Sequence, residues 1–203
     1  DRELTDYYQS PLGIRTFYWD YQTNHLFVNG KKINLKGINR HQEYPWLGDA
    51  IPEWITIKDM EDIRYGMGIN FMRTAHYPQA PIVYDFTNQN GIITVEEVPN
   101  IKNINFSKEV QEQNVRAMIR RDRNNPSIFF WSVGNETSDA ADSKWVVEED
   151  QTRIIHARKA ENAGDFVAHT HINLDMENLL RVTHRGWSTP EDAPSTIDPT
   201  PEN

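Results

Sequence analysis

Ser127-Ile-Phe-Phe-Trp-Ser-Val-Gly-Asn-Glu136 is the stretch whose reading decides the fold. Ser127–Val133 is an almost wholly apolar run of β-branched and aromatic residues, which reads as a strand buried on both faces. Behind it come a glycine, an amide and a carboxylate, so the strand delivers Asn135 and Glu136 to its C-terminal end. Strands of this kind belong to parallel sheets covered by helices.

The same unit recurs on either side. Upstream, Asn70–His76 reads as a strand before a short helix over Pro81–Asn90. Ile92–Glu96 reads as a strand before a long amphipathic helix, Ser107–Arg123, with Val110, Val115, Met118 and Ile119 on its apolar face. Earlier still, Leu35–Asn39 is a short apolar run followed by Ile57, Met60, Ile63 and Met67 at helical spacing behind an N-cap at Thr56. Downstream, Trp145, Val146, Ile154 and Ile155 predict a helix from about Ser143 to Ala160, and strands follow at Phe166–Thr170 and Leu180–Thr183. Ahead of all this, Thr16–Val28 alternates like a hairpin, with Phe17, Trp19 and Tyr21 on one face, a turn at Gln22-Thr-Asn24 and a second turn at Asn29-Gly30 before Ile33–Leu35.

Six strands alternating with helices predict an α/β fold, either doubly wound or a (β/α)8 TIM barrel. Polar residues stand at the C-terminal ends of the strands: Asn39-Arg40-His41, Arg73 and His76, Glu96-Glu97, Asn135-Glu136, His169 and His171. Ligands bind at that edge in both architectures. No strand is followed by a Gly-rich phosphate loop, so the barrel is the better reading. A whole barrel takes ~250 residues, and the 203 present include the lead-in. About six of eight βα units are therefore expected, with two sheet edges left for strands seven and eight, and the chain reads as part of a longer protein.

Composition narrows the function. With 21 basic and 30 acidic residues the net charge is −9, and no basic stripe offers the field that nucleic acid requires. Thirteen acidic and six basic residues follow Glu136, so most of the excess lies in the last third. The absence of cysteine removes disulfides, thiolate metal sites and thiol nucleophiles. No apolar run approaches the ~18 residues of a membrane span, so neither nucleic acid nor membrane is an expected partner. Asp1-Arg-Glu-Leu-Thr5 lacks the n- and h-regions of a signal peptide, and the compartment stays open.

Glu136 at the rim of apolar walls suits a general acid; the alternative is that it caps the next helix near Thr137 and Ser138. Arg73 has two readings as well, a site residue or the structural ion-pair partner of Glu96 or Glu97. His41 and His76 are ordinary histidines but for their places after successive strands. Trp187 is either a stacking platform for a ligand or packing. His169 and His171 share one face of their strand, a metal-ligand spacing that lacks further ligands. Glu148-Glu-Asp150 reads as a solvated helix face, and residues 188–203, rich in proline, as a loop or tail.

Trp131-Ser-Val-Gly-Asn-Glu136 resembles the acid/base signature of family 2 glycoside hydrolases, the β-galactosidase and β-glucuronidase group. Gly37-Ile-Asn-Arg-His41, Asn70-Phe-Met-Arg-Thr-Ala-His-Tyr-Pro78, Gly91-Ile-Ile-Thr-Val-Glu-Glu-Val-Pro99 and Arg120-Arg-Asp-Arg-Asn-Asn-Pro126 are similar to its other segments, in the same order. The resemblance covers about Pro11 to Trp187. It makes residues 1–14, through Pro11-Leu-Gly-Ile-Arg15, the exit from a preceding immunoglobulin-like domain, and 15–203 a partial barrel.

The resemblance implies hydrolysis of terminal β-glycosidic bonds by a retaining mechanism with Glu136 as general acid/base. Asn135 would bond the sugar 2-hydroxyl, His41 and His76 would contact sugar hydroxyls, and Arg73 would orient the nucleophile. Glu97 and Trp187 complete the expected substrate contacts. The nucleophile itself would be a carboxylate after the seventh strand; neither Glu177 nor Glu191 matches, so it is expected outside this chain. Asn39-Arg40-His41 is closer to the galactosidase form, whereas Pro99 is shared by glucuronidases and metal-free galactosidases. Relatives that bind magnesium use a Glu and a His after the third strand, and Pro99–Asn103 lacks both, so no cofactor is expected. Carbohydrate is the expected partner, with room for a homo-oligomer at full length. A metal-dependent hydrolase built on His169 and His171, and a non-catalytic carbohydrate-binding fragment, are the readings from other classes.

Overall fold

The computed structural model describes residues 5–7, 12–20, 22–23, 25–102, 104, 106–137 and 139–158. Two sheets are present among them. The first is an antiparallel meander of β1 (Phe17–Asp20), β2 (His25–Val28) and β3 (Lys31–Ile33). Its second turn uses Asn29 and Gly30 at φ 50° and 73°, the left-handed pair that matches the twist of the flanking strands. The lead-in is thus one strand longer than a hairpin.

The second sheet has five parallel strands in sequential order, β4 (Gly37–Arg40), β5 (Phe71–Thr74), β6 (Ile93–Glu97), β7 (Ile128–Asn135) and β8 (Ile154–Arg158). Helices α1 (Glu53–Glu61), α2 (Pro81–Asn90), α3 (Lys108–Asp122) and α4 (Ser143–Glu149) cross over between them. Sequential parallel strands joined by helices are the building pattern of a (β/α)8 barrel, here represented by five strands. None of these helices is long and apolar enough to cross a membrane.

Alternation along the strands separates two faces. Ile38 and Met72 pack outward under α1 and α2 with Met60, Ile63, Val83 and Ile92. Trp131, Val133 and Ile155 pack outward under α3 and α4 with Val115, Ile119 and Val146. Phe71, Val95 and Phe130 face inward, where Leu26, Trp19, Val28 and Ile33 of the meander close over them. The meander plugs the N-terminal end of the inner face, and Phe17 stacks on Phe129 at 4.5 Å between ring centres. A register shift between Thr94 and Val95 lets Phe129 bulge toward that plug.

Several expectations change. The helix predicted over Ser143–Ala160 ends at Glu149, and Ile154–Arg158 is the fifth parallel strand. Asp150 stops the helix: it takes an extended φ of −155° and accepts from Trp131 Nε1 at 2.8 Å and from the backbone N–H and hydroxyl of Thr152. Trp145, Val146, Ile154 and Ile155 fit helical spacing only because a loop separates the two pairs. Phe166–Thr170 and Leu180–Thr183 lie outside the described residues. Of the cluster Glu148-Glu-Asp150 only Glu148 is solvated, since the Glu149 side chain is largely buried against Arg116 and Arg120 of α3 and Asp150 is internal.

The first helix begins at Glu53 after Pro52, which leaves Thr56 inside it and buried. A π-helical turn over Asp62–Gly66 extends it, so Ile57 and Met67 are exposed while Ile55, Met60 and Ile63 face the sheet. In α3 the N-cap is Ser107, accepting from Val110 N, but Val110 is exposed and Gln111 takes the inward position.

Candidate active site

The inward face changes character along the strands. Beyond the apolar layer of Phe71, Val95 and Phe130, the next inward positions are Arg73, Glu97, Ser132 and His156. Strand pairing sets Glu97 opposite Ser132 and Ser132 opposite His156, one row across three strands. All four side chains are fully buried, so their polar atoms depend on one another.

Glu97 is the hub. Arg73 donates to its Oε2 through Nε at 2.8 Å and through Nη2 in a second, shorter contact. Ser132 donates to the same oxygen at 2.7 Å, and His76 Nδ1 meets Oε1 at 2.7 Å. Burial alone would raise the Glu97 carboxyl; the Arg73 charge, His76 and the Ser132 hydroxyl overcome it and bring the group down to about 2. An ionised carboxylate only accepts, so Nδ1 of His76 carries the hydrogen. The one hydroxyl hydrogen of Ser132 is committed to Glu97, hence His156 Nδ1, 2.9 Å away, donates to Ser132.

Arg73 spreads this order to the strand ends. Its Nη2 also donates to Asn135 Oδ1 at 2.9 Å, and Nη1 reaches Asn39 Oδ1 at 3.3 Å. With Oδ1 accepting, the Nδ2 donor of Asn135 is the end left for a ligand. Arg73 is therefore an ion-pair partner of Glu97 and not of Glu96, and it bonds Asn135 at the strand end as well. Glu96 faces outward, where it accepts from Tyr84 at 2.8 Å. Burial, then the adjoining Asp122 carboxylate, push the Glu96 carboxyl well above its ordinary range.

Glu136 follows β7 with a left-handed φ of 48°, uncommon for a side chain of its size. It does not cap α4, whose N-cap is Asp142, accepting from Lys144 N at 2.9 Å. Gly134 sets the approach: a Cβ there would stand 2.9 Å from Thr137 Cγ2 and 3.2 Å from the carbonyl of Asn100. The loop after β6 runs alongside, with Asn135 N donating to Asn100 O and Lys102 N donating to Asn135 O, both at 2.9 Å. That loop places Lys102 Nζ 3.3 Å from Glu136 Oε2. Its segment Pro99–Lys102 offers a divalent cation neither carboxylate nor imidazole: the Asn100 amide is donated to the carbonyls of Asp139 and Val133, and Lys102 is itself a cation.

His41 stands edge-on to His76 at 5.2 Å and to Tyr77 at 6.1 Å, after adjacent strands. Burial, then the neighbouring His76, lower the His41 imidazole from its usual value, which favours the neutral ring. The structure thus brings Arg73, His76, Glu97 and Asn135 into one bonded cluster, with His41 against His76 and Glu136 next to Asn135. Glu97, expected among the sugar contacts, is fully buried with both oxygens occupied, so it holds Arg73 and His76 instead. Trp187, His169 and His171 lie outside the described residues, among which no group of three or more acidic or imidazole side chains could hold a metal.

Sequence reading missed Ser132, His156 and Lys102. The turn residues Asp150-Gln-Thr152 before the β-branched Ile154-Ile155 were the signal for a strand that carries His156 inward. Nothing in the pattern marks Ser132 or Lys102, because cross-strand register and a loop path place them.

Comparison with known proteins agrees with this architecture. The family model described as "Glycosyl hydrolases family 2, TIM barrel domain" matches residues 20–189. A β-galactosidase of Thermoanaerobacter pseudethanolicus is 37% identical over 204 residues, covering 94% of this chain and 27% of that protein. A β-glucuronidase of Bacteroides fragilis is 30% identical over 221 residues, covering 98% of this chain and 30% of that protein. The chain thus spans under a third of the length of either relative. Among solved structures, apo β-glucuronidase 3 of Bacteroides uniformis superposes with a TM-score of 0.68 at 26% identity, covering 76% of this chain and 22% of that one. With a family model matched over most of its length, the chain belongs to the TIM barrel domain family of the family 2 glycosyl hydrolases.

Proposed function

We propose that this chain carries the acid/base side of the active site of a retaining β-glycosidase of β-galactosidase type, acting on terminal β-glycosidic bonds, with Glu136 as general acid/base. The observation that carries the reading is the clamp of Arg73 on Asn135, which fixes the residue next to Glu136 at the end of β7. In the first step the Glu136 carboxyl gives its proton to the glycosidic oxygen as the bond from C1 to that oxygen breaks. A carboxylate nucleophile from outside the described residues bonds to C1. In the second step the Glu136 carboxylate takes a proton from water, whose oxygen bonds to C1 as the nucleophile leaves, so the anomeric configuration is retained.

The surrounding residues follow from their bonding. Asn135 offers Nδ2 to the sugar 2-hydroxyl, a contact that strengthens as C1 gains positive charge. His76, donating through Nδ1 to Glu97, presents Nε2 to a sugar hydroxyl, and His41 joins it as a neutral ring. Arg73 supplies the fixed positive charge beside which the nucleophile is oriented. No metal is called on for any step. In this account residues 1–14 lead in from a preceding immunoglobulin-like domain.

The 37% identity to a protein named β-galactosidase supports that sugar; the likeness to solved β-glucuronidases supports glucuronide as the second reading. The product of the complete reading frame that encodes this chain separates them. With 4-nitrophenyl glycosides, kcat/KM for the β-galactoside should exceed that for the β-glucuronide by at least about 10²-fold, and by up to about 10⁴–10⁵-fold if the wrong sugar leaves buried polar groups unpaired. Proton NMR should find the β-anomer as the first-formed sugar. Glucuronide preference would replace the sugar assignment, and a first-formed α-anomer would remove the retaining mechanism.

A further inference from the structure

We propose that Lys102 is a positioning residue for Glu136, its ammonium favouring the ionised carboxyl that serves as base in the second, water-consuming half of the reaction. The inference rests on the reading of Glu136 as acid/base and adds to it the residue that sets the balance between its two roles.

The contact is built by the fold. Lys102 adopts a left-handed φ of 46° and Glu136 one of 48°, each a conformation that an ordinary side chain rarely takes. Two backbone hydrogen bonds of 2.9 Å, Asn135 N to Asn100 O and Lys102 N to Asn135 O, fasten the loop after β6 to the end of β7, with Ile101 bridged in parallel to Asn135. This path sets Lys102 Nζ 3.3 Å from Glu136 Oε2. Among the described residues, Arg73 is paired with Glu97, and Asp139 of the following loop with Lys108 of α3. Lys102 is a charge that this geometry directs at the carboxyl.

The consequence has a sign. An ammonium within about 4 Å favours the charged carboxyl, which withholds the proton in the first half-reaction and readies the base in the second. Lys102 is 61% exposed and Glu136 26% exposed in their side chains, so water and salt moderate the effect. It corresponds to about 0.2–0.7 of a pH unit.

The test uses the complete reading frame with K102M, K102R and E136Q, each checked by thermal melting. In K102M the basic limb of kcat/KM should move to higher pH by that amount, and K102R should return it. With a dinitrophenyl glycoside, whose leaving group needs no proton, kcat limited by the second half should fall about 2–5-fold in K102M on the acid limb of its pH profile while kcat/KM holds. In the unmutated enzyme, raising salt from about 0.01 to about 1 M shrinks the Debye length from ~30 to ~3 Å and should move the basic limb the same way; K102M should not respond. If K102M and the unmutated enzyme give superimposable profiles while E136Q still loses activity according to the leaving group, the role of Lys102 is overturned and Glu136 stands. If E136Q shows no such dependence, the reading of Glu136 fails and this inference falls with it.

Discussion

Arg73 lays its guanidinium along the carboxylate of Glu97 through two nitrogens, with both side chains fully buried. The pair is the hinge between stability and function here, because the same guanidinium holds Asn135 and the same carboxylate holds His76. Removing one partner strands the other in the interior. E97Q keeps the shape but leaves Arg73 uncompensated, and a loss of about 3–5 kcal/mol is expected from urea denaturation. R73M should cost a similar amount, and the double replacement R73M/E97M much less than the sum.

The pair also predicts an acid response. Glu97 is brought down to about 2 in the folded state, below its unfolded value of about 4.3, so its contribution is complete above the unfolded value and is lost as pH falls through about 2. Thermal melts between pH 6 and pH 2 should show the unmutated protein losing stability steeply over the lower part of that range, and E97Q, already without that contribution, losing less. Parallel curves would contradict the assignment of Glu97 as the ionised hub.

Glu96, one residue away, has the opposite sign. Burial and Asp122 push its carboxyl well above the ordinary range, so the neutral acid is the favoured buried form and stability declines as pH rises from the unfolded value toward the folded one. E96Q keeps a neutral group of the same shape beside the Tyr84 hydroxyl. Its melting temperature should exceed that of the unmutated protein by about 2–4 °C or more at pH 8, with the gap closing near pH 4. Equal melting temperatures at pH 8 would show that Glu96 carries no such penalty.

Gly134 tests how tightly the end of β7 is held. G134A introduces a methyl 2.9 Å from Thr137 Cγ2 and 3.2 Å from a backbone oxygen, so the segment carrying Asn135 and Glu136 must shift. A displacement approaching 1 Å costs up to ~10²-fold in rate, and a fall of at least about tenfold in kcat is expected with secondary structure retained by circular dichroism. Unchanged kcat would mean that the catalytic end of β7 has slack.

How far the sequence reveals these relations depends on their range. The apolar run before Glu136, the polar residues at strand ends and the extent of α3 are local features, and each is legible. Arg73 with Glu97 was one of two pairings open to sequence, and only the inward and outward alternation of β6 separates Glu97 from Glu96. His156 was hidden because two apolar pairs eight or nine residues apart, Trp145-Val146 and Ile154-Ile155, fit a helix as well as they fit a helix, a loop and a strand. Ser132 and Lys102 owe their roles to register and loop path, which have no local signature. Glu149 and Asp150 look like surface charges until α3 brings Arg116 and Arg120 against one and Trp131 donates to the other.

The measurement that bears most directly on the central claim is the leaving-group dependence of E136Q in the product of the complete reading frame. Removal of a general acid should lower kcat/KM by about 10²–10⁴-fold for an aryl β-galactoside with a poor leaving group and far less for a dinitrophenyl one. Added azide should restore turnover with the dinitrophenyl substrate and give a β-galactosyl azide. A uniform loss across leaving groups, with no response to azide, would contradict the account of Glu136 as the acid/base.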